Sequence, residues 1–121
     1  MPYTIEFDAA RKRIAILVIP PISEYDAIEC FREIRAHPEF RADYGILINL
    51  LAADRTLGVT EAEHIGGAMQ YHFPGHRIAL LRPTSSPTPG FDAIRAATSS
   101  KIDVRIFTEL TAAETWLASW C

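Results

Sequence analysis

The residues best suited to binding or modification follow an apolar run in the middle of the chain. Asp54, Arg55 and Thr56 come soon after Tyr44–Leu51, a segment that predicts a buried strand. Thr60 opens the next helix pattern. Partners bind α/β sheets beyond the carboxyl ends of the strands, so these four residues are candidate partner-binding or regulatory positions. The structural alternative is that Asp54 only caps a turn, that Thr60 is only the N-cap of a helix, and that Arg55 is solvated.

A second candidate site lies on the helix pattern that Thr60 opens. Gly66 and Gly67 interrupt this pattern, and glycine lets a ligand or another backbone approach closely. Together with Met69 and Phe73 they would line a pocket for a small apolar ligand or lipid. The breaker-rich segment 83–90 would then act as a lid. The alternative is an ordinary core stripe of a helix.

The histidines do not have the spacing of metal ligands. His64 and His72 would lie roughly 80° apart on one helix, since a turn has 3.6 residues, and this is not the i, i+4 pair that metal sites use. His76 finds no convincing carboxylate partner in the sequence. We therefore predict no metal and no cofactor.

Sequence motifs of the common enzyme classes are missing. No serine lies in a G-x-S-x-G elbow, and the chain has neither G-x-G-x-x-G nor a phosphate-binding loop. Cys30 falls on the apolar side of a helix pattern, where a thiol is inert. The sequence favours a protein without enzymatic activity, and an enzyme of unknown class is the third hypothesis.

Apolar runs predict five strands. Residues 3–7 alternate between apolar and polar types, which predicts a strand with one wet face, and Ile14–Ile19 is an unbroken run that predicts a strand buried on both faces. The short polar gap between them indicates an antiparallel hairpin. Later runs at Tyr44–Leu51 and Arg77–Arg82 predict interior strands of a sheet, and Val104–Phe107 predicts a short strand.

Helix patterns alternate with these later strands. The first helix ends near His37, because Pro38 disfavours helical geometry in the residue before it. Ser23 can cap the first helix, with Asp26 three positions on, and Thr60–Glu63 and Thr111–Glu114 fit capping boxes. The four patterns begin near Ser23, Thr60, Phe91 and Thr111.

The order of the elements predicts one α/β domain over residues 1–121. We expect the order ββαβαβαβα, with a mostly parallel central sheet, an antiparallel N-terminal edge strand and helices packed on the sheet. The length of 121 residues fits a single domain.

Composition and charge narrow the classes of partner. The net charge is −3, from 12 Lys+Arg and 15 Asp+Glu, and the arginines are scattered, so no basic footprint for nucleic acid exists. The longest apolar stretch, Ile14–Ile19, is far shorter than the ~20 residues of a membrane span. With only two cysteines and no signal-peptide pattern at the N-terminus, we expect a cytoplasmic protein.

The element order and three segments resemble the STAS family, the small domains of bacterial anti-sigma-factor antagonists. The chain is most similar to uncharacterised, SpoIIAA-like bacterial proteins that consist of one such domain. The segments that carry this resemblance are 44–60, Arg77–Arg82 and the C-terminal stretch with Val104–Phe107, Thr111 and Glu114–Leu117.

The resemblance implies a non-enzymatic, regulatory protein–protein interaction module. Antagonists of this family carry an Asp-Ser-[Ser/Thr]-Gly segment whose serine is phosphorylated. The matching stretch here is Asp54–Gly58, in which Arg55 takes the place of the serine and Thr56 is the only hydroxyl. We therefore expect a protein partner, with Thr56 as the residue whose phosphorylation would tune binding. A second copy of the chain is another candidate partner, through Trp116 and Trp120 on the last helix.

Overall fold

The computed structural model describes residues 3–19, 23–51, 59–83 and 102–119. Within these ranges the chain forms five strands and three helices in an α/β arrangement. The predicted helix near Phe91 lies outside the described residues. The elements are β1 (Tyr3–Asp8), β2 (Arg13–Val18), α1 (Glu24–Ala36), β3 (Gly45–Asn49), α2 (Val59–His72), β4 (Arg77–Leu81), β5 (Asp103–Phe107) and α3 (Leu110–Ala118).

The five strands form one mixed sheet in sequential order, β1-β2-β3-β4-β5. β1 and β2 pair antiparallel, with Tyr3 opposite Val18 and Asp8 opposite Arg13. The other neighbours pair in parallel. The hairpin, the parallel strands and the antiparallel edge strand are therefore confirmed. Lys12, with φ of 53°, adopts the left-handed conformation that closes the hairpin loop.

The main core lies between one face of the sheet and helices α1 and α2. Strand side chains at alternate positions point to this face, as the pleat requires. Phe73, which follows α2, and Ile34 of α1 are fully buried against them. The strand residues of this core are Ile14, Ile16, Val18, Ile46, Ile48, Ile78, Leu80 and Val104.

A smaller core lies on the opposite face, where α3 packs over β3, β4 and β5. Ala113 and Leu117 of α3 contact Leu47, Ala79 and Leu81. This second layer explains why β3 and β4 are apolar without a polar break, because both of their faces are covered.

The packing of α3 also brings Leu117 close to the backbone at the start of β3. A Cβ atom placed on Gly45 would lie 3.0 Å from Cδ2 of Leu117. Glycine at this position lets the end of α3 approach the sheet.

The prediction that β2 is buried on both faces is wrong for the face that does not point to the main core. Leu17 and Ile19 are 42% and 41% exposed. α3 covers β3 to β5 on that face and leaves the outer part of β2 uncovered. The unbroken apolar run at Ile14–Ile19 therefore supplies both the core and an exposed surface.

The starts of the helices differ from one another in their capping. Ser23 caps α1 as predicted: it accepts from the Asp26 amide, and the Asp26 carboxylate accepts from the Ser23 amide. The other two capping boxes are wrong, since α2 begins at Val59 and α3 at Leu110. Thr60 and Thr111 therefore lie inside first turns rather than at caps.

None of the helices in the described ranges is long and apolar enough to cross a membrane.

Candidate functional site

The centre of the carboxyl edge of the sheet lies between β3 and α2. β3 ends at Asn49, and α2 starts at Val59. The candidate residues Asp54, Arg55 and Thr56 belong to the connection between them and lie outside the described residues. Thr60 is exposed in the first turn of α2.

Exposed apolar side chains concentrate at this same edge. Six large hydrophobic residues are exposed among the described ones, and five of them lie where strands end or helices begin. Their exposed fractions run from 41% to 71%. We call these five the edge group: Leu17, Ile19, Tyr25, Leu51 and Leu110. Exposed apolar surface of this kind marks binding sites more often than chance placement does.

The backbone beneath the edge group is held by hydrogen bonds. The Leu50 amide donates to the Leu81 carbonyl at 2.8 Å, and the Arg82 amide donates to the Phe107 carbonyl at 2.9 Å. Leu51 is fixed by its own amide, which donates to Oδ1 of Asn49 at 3.0 Å. Side chains at this edge are therefore attached to backbone that hydrogen bonds hold in place.

The two helices that start at this edge are joined by a polar contact. His64 of α2 binds the carboxylate of Glu24 of α1 through its Nδ1 atom. Both side chains are partly exposed. This pair connects the first turn of α1 to the second turn of α2 and borders the edge group with polar atoms.

The perturbed pKa values belong to groups in or near the core. Burial raises the pKa of the Cys30 thiol to about 12, with the nearby Glu33 carboxylate as a second cause, so the thiol is not a nucleophile. Burial also raises the pKa of Tyr3, whose hydroxyl donates to Glu33 Oε2 at 2.8 Å. Both side chains are buried, with 2% of Cys30 and 7% of Tyr3 exposed, so neither is presented to a ligand at the carboxyl edge.

The four residues of the alternative ligand pocket do not surround one opening. Met69 and Phe73 are 1% and 0% exposed in the main core, and Gly66 is buried as well. Gly67 alone lines a groove of about 600 Å³ at the C-terminal ends of α1 and α2. The other residues along this groove are Arg35, Gln70, Tyr71, His72 and Pro74.

This groove combines polar and apolar surface, and its polar side includes a charged side chain. Arg35 donates through Nη1 to the carbonyls of His72 at 2.8 Å and Tyr71 at 3.4 Å, which closes the end of α2. Binding of a small apolar ligand there stays a prediction that the packing does not favour.

The described part of the edge consists of apolar side chains bordered by one polar pair. In the ranges that the structure describes, no three His, Cys, Asp or Glu side chains are grouped so that they could hold a metal ion. The edge group was missed by reasoning from the sequence, although Ile19 and Leu51 carried a signal: each is the apolar residue at which a strand pattern stops.

The structure describes one of the two tryptophans that were predicted to form a self-association surface. Trp116 is half-buried, packs against Phe107 with ring centroids 5.7 Å apart, and lies under the guanidinium of Arg105 at 5.1 Å. Trp120 lies outside the described residues. Self-association through these two rings stays a prediction.

Comparison of the chain with protein-family models, with curated proteins and with solved structures found no match. The case for a function therefore rests on the geometry of the carboxyl edge.

Proposed function

We propose that the chain is a STAS-like regulatory module that binds a protein partner through the carboxyl edge of its sheet and has no enzymatic activity of its own. The order of the described elements supports the family resemblance. So do the antiparallel first strand and the parallel strands that follow it.

The observation that carries this proposal is the edge group. Five exposed apolar side chains lie at one edge of the sheet, beside the polar pair of Glu24 and His64. Protein interfaces combine an apolar centre with a polar rim in this way. A metal or small-molecule site would instead need convergent polar groups in a concavity.

The segment from Asp54 to Thr60 contributes the regulatory part of the proposal. Along the chain, this segment follows Leu51, a member of the edge group, and leads into α2. A phosphate on Thr56 would add negative charge close to the start of α2, where the helix dipole favours anions. Phosphorylation would therefore change the charge of the partner surface without changing the core.

A capture experiment with matched variants tests the surface. Wild-type protein is immobilised beside Leu51→Asp, Asp54→Lys and a control, Tyr71→Asp, and each is incubated with native lysate. Tyr71 is 70% exposed but lies at the far end of α2, so its variant has the same kind of change away from the edge.

We expect the wild type and Tyr71→Asp to retain the same proteins, and the two edge variants to lose them. Identical protein lists from all four baits, identified by mass spectrometry, would contradict the assignment of the carboxyl edge. A further bait, the phosphomimetic variant Thr56→Glu, tests the proposed regulation by phosphorylation. It should alter the amount of partner protein captured, whereas Tyr71→Asp should not.

A further inference from the structure

β1 forms one border of the sheet, and among the described strands it pairs with β2 alone. The Gly45 amide donates to the Lys12 carbonyl at 2.9 Å, so this carbonyl points towards β3. In a trans peptide the next amide, that of Arg13, points the opposite way, towards β1. Arg13 lies opposite Asp8. Backbone groups alternate along a strand, so every second residue of β1, counted back from Asp8, bonds to β2.

The remaining residues of β1 direct their backbone groups away from β2. These are Tyr3, Ile5 and Phe7, whose side chains also point to the main core. Ile5 and Phe7 are only partly buried there. Within the described part of the chain, the outer border of β1 therefore carries N–H and C=O groups that no strand pairs, next to a row of apolar side chains.

This border lacks the features that keep edge strands apart. Proteins commonly protect an edge with proline, lysine, a bulge or an inward-pointing charge. Tyr3–Asp8 contains neither proline nor lysine, and its pairing with β2 runs without a bulge through all six residues. Its charged residues, Glu6 and Asp8, point to the opposite face from the core.

We propose that a second copy of this chain pairs antiparallel with β1, about a two-fold axis at Ile5, so that one sheet continues through both copies. In this register Ile5 lies opposite Ile5 of the partner subunit, and Tyr3 lies opposite Phe7 of the partner subunit. Both are pairs whose backbone groups point outward, and each such pair exchanges two N–H···O bonds. On the other face Thr4 lies opposite Glu6 of the partner subunit.

The neighbouring registers fit less well. A shift of the axis to Glu6 sets two like carboxylates opposite each other, which destabilises a sheet. A shift to Thr4 leaves the free groups of Phe7 without a partner. A change of the pairing itself by one residue, which sets Ile5 opposite Glu6 of the partner subunit, turns the apolar row to the wet face. The register at Ile5 alone pairs all the free groups and opposes no like charges.

The proposed interface continues the core and lies along β1, which contributes no residue to the edge group. Tyr3 is anchored by its hydrogen bond to Glu33, and Phe7 stacks on His37 with ring centroids 4.2 Å apart, so both rings are fixed before pairing. The dimer is thus independent of the proposed partner surface, and the failure of either proposal does not decide the other.

Charge changes at Thr4 test the register, because this side chain is exposed and its replacement leaves the core intact. Sedimentation velocity of the full chain at low ionic strength gives the dissociation constant of the dimer. Thr4→Lys sets a lysine opposite Glu6 of the partner subunit at two symmetric places, and should tighten the dimer about fivefold. Thr4→Glu should weaken it about fivefold, and the double variant Thr4→Glu/Glu6→Lys should restore it.

Hydrogen exchange of backbone amides provides a second measurement. The Ile5 and Phe7 amides should exchange more slowly as protein concentration rises through the dissociation constant, while the Glu6 amide, bonded to β2, should not change. A wild-type chain that stays monomeric up to about millimolar concentration would overturn the proposal, since that limit corresponds to only about 4 kcal/mol of association. Species larger than a dimer, equal dissociation constants for the Thr4 variants, or an Ile5 amide indifferent to concentration would each overturn it as well.

Discussion

Arg13 is a charged side chain with little exposed surface, and its partner comes from the other end of the chain. Its side chain is 9% exposed, and the guanidinium donates to Glu114 twice, to Oε2 at 3.1 Å and to the backbone carbonyl at 3.4 Å. Arg11 approaches the same carboxylate from the solvent side at 3.5 Å. The contact ties α3 to the start of β2.

Replacement of Glu114 by alanine should destabilise the fold, because it leaves a nearly buried guanidinium with fewer acceptors. We expect a loss of about 2 kcal/mol in the free energy of unfolding, measured by urea denaturation. Glu109→Ala is the matched control, since Glu109 lies at the start of the same helix and its side chain makes no capping bond. Equal losses in the two variants would mean that the contact with Arg13 contributes nothing.

His76 is a buried histidine whose surroundings disfavour its charged form. Burial is the largest cause of its lowered pKa, and Arg35 and Arg77 lower it further, against the opposing effects of the Tyr44 carbonyl and Asp43. The Nδ1–H group donates to that carbonyl at 2.8 Å. The imidazole therefore packs in its neutral form.

Stability should fall as the solution becomes acidic, and His76 is one cause. The unfolded chain, in which histidine has its ordinary pKa of 6.5, binds more protons than the folded chain, so stability is full above that pH and is lost below it. His76→Asn keeps a donor for the Tyr44 carbonyl and should reduce the dependence of the unfolding free energy on pH. His72→Asn should reduce it less, because His72 is only half-buried. Urea denaturation between about pH 7 and pH 5 measures these slopes, and parallel curves for wild type and His76→Asn would refute this account.

Neither of these buried groups could be assigned from the sequence. Arg13 and Glu114 are separated by 101 positions, and His76 and Tyr44 by 32, so no local pattern links them. Cys30 was predicted correctly as a buried side chain, because its place on the apolar side of α1 is a local property. Prediction of a residue's surroundings succeeds here where they follow from helix periodicity. It fails where they follow from contacts between distant parts of the chain.

At the scale of the elements, the three helix starts show how far a capping motif can be trusted. Each start was predicted from a serine or threonine followed three residues later by an acidic residue. At Ser23 the chain forms the complete box with Asp26. At α2 and α3 an apolar residue, Val59 or Leu110, begins the helix before the threonine. Glu114 then lies in the ion pair with Arg13 instead of a box.

Alanine substitutions at the three positions should separate a true cap from a first-turn residue. Ser23→Ala should lower the free energy of unfolding by about 1 kcal/mol, because it removes the acceptor for the Asp26 amide. Thr60→Ala and Thr111→Ala should change it by less than about 0.5 kcal/mol, as expected for exposed sites in a helix. Thermal and urea denaturation of the three variants measure this. A loss at Thr111 as large as that at Ser23 would show that α3 is capped after all.

At the scale of the whole molecule, the sheet is covered unevenly. β3 and β4 have helices on both faces, whereas β2 has one face partly open at Leu17. The sequence was enough to predict the hairpin, the parallel strands and the helices between them, since these follow from periodicity and loop length. It could not show which strands α3 covers, because an unbroken apolar run looks the same on a covered and on an uncovered strand. The edge group was missed for that reason.

The uneven cover predicts a gradient of local stability across the sheet. Amides that open only when the whole domain unfolds exchange slowest, and these should lie in the doubly covered strands, at Ile48 of β3 and Leu80 of β4. Amides of β1 should exchange through local opening, because β1 is bonded on one side and covered on one face. Hydrogen exchange at low protein concentration, where the chain is a monomer, measures both classes. Denaturant should speed exchange in β3 and β4 in step with the free energy of unfolding and leave β1 nearly unchanged. An equal dependence of exchange on denaturant in all five strands would mean that β1 opens only when the whole domain unfolds. The single helix layer over β1 would then stabilise it as firmly as two layers stabilise β3 and β4.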